Sequence, residues 1–291
     1  MKNYLSDFLP RIEIAQNDIE FLIAAYDVIA ADEKSLSRFN EALALYDADI
    51  NCDFKKIVEI ADEVAELSGI KEFTSEFLIL AALSRRLSLY YADRALSDEL
   101  FRQTMLDLKY KLEECKLVKG IVGTFVPNWF GGFFNMTRFA LGRMQFEIRD
   151  FGENYEKDGK ILTPESKVIN MHIPRSLKPL DEASCDEAFA MAAEFFANEA
   201  SKPLAFICSS WLLYPENKNI LSPKSNTYKF IERFDILRTS PDKNLNNLWR
   251  IFDTEEKNPQ KLPADTSMRR AFVDHLMRGG KMGTAYGVFF Y

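Results

Sequence analysis

The stretch Leu141-Gly142-Arg143-Met144-Gln145-Phe146-Glu147-Ile148-Arg149-Asp150-Phe151 decides how this chain is read. From Phe139 to Phe151 apolar and polar residues alternate with period two, the repeat of a strand whose successive side chains point to opposite faces. Arg143, Gln145, Glu147 and Arg149 fall on one face; Met144, Phe146 and Ile148 fall on the other. A strand with one wholly polar face either meets solvent through cross-strand ion pairs or lines a cleft.

Upstream, as far as Gly120, the apolar residues recur instead at helical spacing. Ile19, Leu22, Ile23, Tyr26 and Ile29 form one stripe. Phe54, Ile57, Val58, Ala61 and Ala65 form another after Asp53, stopping at Gly69, where a left-handed C-cap costs little. Thr74 or Ser75 is expected to cap a third helix and Ser97 a fourth, so residues 1–120 read as a helical bundle. At Gly120 the pattern changes. Gly123, Pro127, Gly131 and Gly132 interrupt an aromatic segment, and a second domain is expected over 121–291.

Within that second domain the strand candidates after the opening alternation are 167–173, 204–213, 234–238, 248–252 and 284–291. Between them, Ser184 and Glu187 spell a capping box, Ser225 or Asn226 can cap a helix through Phe230, and Thr266 can cap one that ends at Gly279-Gly280. The predicted fold class is α+β in two domains: an N-terminal α-helical bundle followed by a mixed-sheet α/β domain.

Composition narrows the function. The 291 residues include 24 Phe and are 47% hydrophobic, which excludes wholesale disorder. A formal charge of -7 argues against binding a phosphate backbone. The opening MKNYLSDFLPRIEIAQND carries charges and a proline where a signal peptide needs an apolar run, and no later stretch suits a bilayer span, so a cytoplasmic location without membrane contact is expected. Cys52, Cys115, Cys185 and Cys208 are scattered, without the short Cys/His spacings of a zinc site, and no metal is expected. Cys208, in the apolar run LAFIC, reads as a small buried hydrophobe.

Two segments could carry chemistry. On the 167–173 strand Asn170 and His172 share a face, and Pro174 ends the element; the imidazole could serve as a general base or hold the structure by a hydrogen bond. Ser209, Ser210 and Trp211 end the 204–213 strand, and the loop 214–224 leads to the Ser225/Asn226 cap, whose free N–H groups would suit an anion. His275, in an amphipathic helix, reads as structural. Gly279-Gly280-Lys281-Met282-Gly283-Thr284 follows a helix rather than opening one, so it is no phosphate loop. Neither serine lies in G-x-S-x-G.

Leu141 to Glu147, His172-Ile173-Pro174, Phe195-Phe196, Cys208 to Leu213, Ser225-Asn226, Leu262-Pro263, Thr266-Ser267 and Gly279-Gly280, taken in this order, resemble a bacterial acyltransferase family with a helical N-terminal N-acyltransferase module and a GNAT-like C-terminal domain. The resemblance implies acyl transfer from an acyl-CoA co-substrate to a small-molecule or peptide amine. It implies too that 206–213 is the central strand that splays from its neighbour, and that the loop ending at Ser225 and Asn226 holds the pyrophosphate. Under it, His172 or Glu147 would be the base, Ser210 a proton donor or a hydrogen bond to the thioester, and Arg143, Gln145 and Trp211 substrate contacts. Residues 214–224 contain no glycine, unlike the superfamily's R/Q-x-x-G-x-G/A. A second reading is therefore a non-catalytic ligand- or protein-binding regulator.

Overall fold

The computed structural model describes residues 1–176 and 178–291. Its compact units are Met1–Phe139 and Ala140–Tyr291, which places the division about twenty residues beyond the 120/121 boundary expected from the sequence.

The first unit is helical: α1 (Lys2–Arg11), α2 (Gln16–Ala31), α3 (Glu33–Ala48), α4 (Phe54–Ser68), α5 (Glu72–Asp93), α6 (Asp98–Lys119) and the single turn α7 (Gly131–Phe134). Cap chemistry sets several ends. The Asp53 side chain accepts from Lys55 N, Ser97 accepts from Leu100 N, and Gly69 and Gly120 close α4 and α6 in the left-handed region. α5 departs from expectation, starting at Glu72 with Thr74 and Ser75 inside it. Those two hydroxyls donate instead to Val122 O and Ala61 O. The aromatic segment after Gly120 belongs to this unit because it packs into it. Thr124 N donates to Phe73 O, Trp129 Nε1 donates to the buried Asp107, and the Phe134 ring stacks on Phe54 while its carbonyl accepts from Tyr46.

The sheet strands are β1 (Arg138–Leu141), β2 (Met144–Asp150), β5 (Lys167–His172), β6 (Ala205–Ser210), β7 (Asp235–Pro241) and β8 (Gly283–Phe290), with β3 (Tyr155–Lys157) and β4 (Lys160–Leu162) forming a separate hairpin. Helices α8 (Glu182–Phe195), α9 (Asn217–Ile220), α10 (Asn226–Glu232), α11 (Trp249–Phe252) and α12 (Ser267–Met277) connect them. Sheet order is β1-β2-β5-β6-β8-β7, and β5–β6 is the parallel pair among the described residues.

Three expectations are corrected here. The alternation from 139 to 151 is two strands, broken at Gly142, whose φ of +62 makes the turn. Residues 248–252 form the helical turn α11 rather than a strand; a short apolar run does not separate the two. α8 begins at Glu182, capped by Asp181, so Ser184 lies in the first turn rather than at the cap.

The two faces of the sheet differ in kind. On one, Phe206 stacks on Phe289 with centroids 5.3 Å apart and meets Phe146 and Phe189, the last carried by α8. On the other, Val168, Ala205, Ile207 and Val288 pack with Phe151 and Leu162 at one end only.

Candidate active site

At the other end of that second face the residues turn polar. In the antiparallel β2–β5 ladder Gln145 opposes His172 and Glu147 opposes Asn170, so all four side chains share a face. The structure brings them into contact. His172 Nε2 lies 2.8 Å from Glu147 Oε1, Asn170 Nδ2 donates to the same oxygen at 2.9 Å, and Arg149 donates to it from Nε at 3.1 Å and Nη2 at 3.0 Å.

Glu147 is 3% exposed. A carboxylate so buried persists only if donors replace its lost water, and three side chains supply them. Ionised Glu147 can only accept, so the nitrogen of His172 that faces it is the N–H, and the lone pair of the ring lies on Nδ1. The imidazole side chain is 20% exposed. A partly exposed imidazole oriented by a buried carboxylate is an arrangement that can hold a general base in one tautomer.

β5 and β6 pair from Ile169↔Phe206 to Met171↔Cys208 and β5 ends one residue later at His172, whereas β6 runs on against β8 through Ser210↔Ala285. Carboxyl ends of adjacent parallel strands are the usual place for a ligand in a sheet of this kind.

The other sequence-derived residues fall in different places. Gln145 is buried, opposite His172. Arg143 sits in the β1–β2 turn, where its Nε donates to Lys178 O at 2.9 Å and its Nη1 to Pro174 O at 3.1 Å, bracing the connection that leaves β5. Parallel register aligns His172 with Ser209, and so Ser210 lies on the opposite face; its Oγ accepts from Leu212 N and caps a short 3-10 turn. Trp211, in that turn, meets the Phe272 ring edge-on at 6.0 Å, against the apolar cluster of Leu248, Phe252 and Leu276. Ser225 caps α10 by accepting from Tyr228 N at 3.2 Å, and Asn226 is the first helical residue.

The parallel neighbour of the strand that the resemblance singled out, 206–213, is β5. The connection following β5 ends in α8, whose cap and first turn carry Asp181 and Glu182 and disfavour an anion; the first turn of α10 carries no acid.

Three sequence readings agree with their surroundings. Burial pushes the Cys208 thiol up to about 12, leaving no thiolate at neutral pH. His275 Nε2 contacts Lys281 O at 3.1 Å and Glu216 Oε2 at 3.2 Å. A Cβ on Gly280 would come within 2.2 Å of the His275 ring, so the glycine pair is a helix stop packed under an imidazole. Sequence reasoning chose Ser210 over Ser209, which the β5–β6 pairing of Ile207 with Asn170 puts on the His172 face, and did not pair Arg149 with Glu147.

A helical N-terminal unit followed by a mixed sheet with a parallel pair, β5–β6, ending beside a paired imidazole and carboxylate is a GNAT-like acyltransferase architecture. The model for the GNAT-like C-terminal domain matches residues 139–289 and that for the N-acyltransferase N-terminal domain residues 3–136, and the chain belongs to this family. The fold is shared with an acyltransferase solved in complex with decanoyl-CoA and teicoplanin, at TM-score 0.75 and 21% identity over 98% of this chain and 87% of that one. It is shared too with a mutant acyltransferase in complex with octanoyl-CoA, at TM-score 0.75 and 20% identity over 98% and 87%. A third structure, an acyltransferase with CoA and 10C-teicoplanin, gives TM-score 0.73 at 19% identity over 98% and 87%. No curated protein matches the chain. No helix among the described residues is long and apolar enough to cross a membrane.

Proposed function

We propose that this protein is an acyl-CoA-dependent N-acyltransferase acting on a small-molecule or peptide amine, with His172 as general base. The observation that carries the reading is the 2.8 Å contact of His172 Nε2 with buried Glu147, at the end of the β5–β6 pairing. The complexes of the structural relatives with decanoyl-CoA, octanoyl-CoA and teicoplanin support this substrate class.

In the proposed reaction the amine nitrogen attacks the thioester carbonyl, His172 Nδ1 takes the proton the nitrogen sheds, and the C–S bond breaks to release the thiolate, which is protonated to the free thiol. Glu147 stabilises the imidazolium formed on the way. Ser209, aligned with His172 on β6, is the hydroxyl placed to hydrogen-bond the reacting carbonyl or the leaving sulfur. Gln145 and Arg149 line the same face. The acyl-CoA would lie at the end of the β5–β6 pairing. Ser225 and Asn226, at the acid-free start of α10, are its proposed phosphate contacts.

The test is a pair of measurements on the full chain. Octanoyl-CoA and decanoyl-CoA should raise the melting temperature by mass action. His172→Ala should slow thiol release in the presence of an amine by about a hundredfold, the scale expected for a lost general base, without altering acyl-CoA affinity. If no acyl-CoA shifts the melting temperature, the non-catalytic reading favoured by the glycine-free loop replaces this one.

A further inference from the structure

A second cluster of ionisable groups, far along the sequence from the acyltransfer residues and wholly within the helical unit, has no part in that chemistry. Asp62 sits on α4, and Glu72 and Glu76 sit one turn apart on α5, so that both project toward the same side. One carboxylate oxygen from each lies within 4.8 Å of the others. Among the described residues none of the three makes an ion pair, although the chain has ample lysine and arginine.

Glu76 is the decisive member. It is 4% exposed, and its Oε2 is buried without a hydrogen-bond partner. The buried Oδ1 of Asp62 lacks one as well. Native interiors satisfy nearly all such atoms, so two unsatisfied carboxylate oxygens aimed at a common point indicate something that binds there. Burial, followed by the charges of Asp62 and Glu72, raises the Glu76 carboxyl to about 8.

We infer that Asp62, Glu72 and Glu76 form a binding site for one hard divalent cation. All-oxygen carboxylate donors select such ions over zinc or copper. One ion can reach all three, since oxygens on opposite sides of a Ca²⁺ ion lie about 4.8 Å apart, twice a bond of about 2.4 Å, and these lie within that distance of one another. Exposed Glu72 provides the route in from solvent, and buried Glu76 the anchor. A bound ion would tie α4 to α5 and give both unsatisfied oxygens a partner.

Full-length protein is stripped with a chelator and titrated with Mn²⁺, following loss of the free-ion EPR signal, and with Ca²⁺ by calorimetry. One ion per chain is expected, with a rise in melting temperature over the stripped protein. Asp62→Asn and Glu76→Gln should each weaken binding by about tenfold or more, as losing a ligating charge does. Glu72→Gln changes an exposed residue, does not threaten folding, and should weaken binding too. Absence of binding to the wild type overturns the inference. So does binding that survives in Glu72→Gln and in whichever of the other two variants folds.

Discussion

Replacing Glu147 by Gln tests the site most directly, because the change removes a charge and almost no volume. Oε1 of Glu147 accepts from His172, Asn170 and Arg149. A glutamine oxygen in the same place still accepts from Asn170 and His172, so the packing survives. What is lost is the charge that stabilises an imidazolium. A hydrogen bond to a charged group is worth about 1.5–3 kcal/mol. At about 1.36 kcal/mol per decade, that predicts a fall in kcat of about tenfold to a hundredfold. The Arg149 pair contributes little to the cost in stability, since its side chain is 57% exposed. The melting temperature should therefore fall by only a few degrees. Thiol release at saturating amine gives kcat and the KM for acyl-CoA, and thermal unfolding gives stability. An unchanged kcat per folded molecule with a depressed melting temperature would make the cluster a structural polar network and refute the base assignment.

Glu76 also predicts a pH dependence in chelator-treated protein. Its carboxyl is raised from 4.5 to about 8, so the folded chain holds a proton that the unfolded chain releases. This group's stabilisation is full below pH 4.5 and is lost as pH rises toward 8, on the order of a few kcal/mol in all. The titratable groups around it are Asp62 on α4, Glu72 on α5 and Cys115 on α6. Glu76→Gln should gain on wild type across that window in chemical denaturation; parallel curves would exclude the raised value. Gly142→Ala should destabilise by about 1–2 kcal/mol for the positive φ alone, with more from a Cβ 3.2 Å from Ala188 Cα, and a neutral result would mean the turn relaxes freely. Ser209→Ala should lower turnover with little effect on stability, and Ser210→Ala the reverse, by about 0.5–2 kcal/mol for a lost cap. The opposite pattern would contradict the strand parity used to place His172.

Much of this was readable from local chemistry. Caps at Asp53, Ser97, Ser225 and Thr266 and the stop at Gly69 depend on neighbours a few residues away, and each appears where the sequence put it. The elements missed have other causes. α1 hides behind Pro10 and its charges, and α3 buries little beyond Phe39, Ala42 and Tyr46, too sparse a stripe to stand out. The β3–β4 hairpin had a usable signal in Asp158-Gly159, both at positive φ, with short strand-like segments on either side. The aromatic segment 121–139 carried the composition of a linker, yet its partners Phe73, Asp107 and Tyr46 lie far back in the chain, which no local reading can supply. For the site, parity alone grouped Gln145 with Glu147 and Asn170 with His172. That the two pairs meet depends on β2 and β5 being sheet neighbours, which is a property of topology.

The missing glycines bear less on function than a motif count suggests. Glycine in a phosphate loop serves to let backbone N–H groups approach an anion closely, which is one way to hold a nucleotide-like group. A strand edge is another. The β5–β6 ladder ends at Met171 and Cys208, while β6 continues to pair with β8 through Ser210. A ligand arm with amide groups can complete that edge as an added strand would, its affinity coming from the main chain and not from any signature residue. The reacting end of such an arm would come to lie beside Ser209 and His172, the two side chains that the parallel register aligns. On this reading the chemistry depends on where the β5–β6 pairing ends and on which face carries Glu147, and neither is written in the loop sequence.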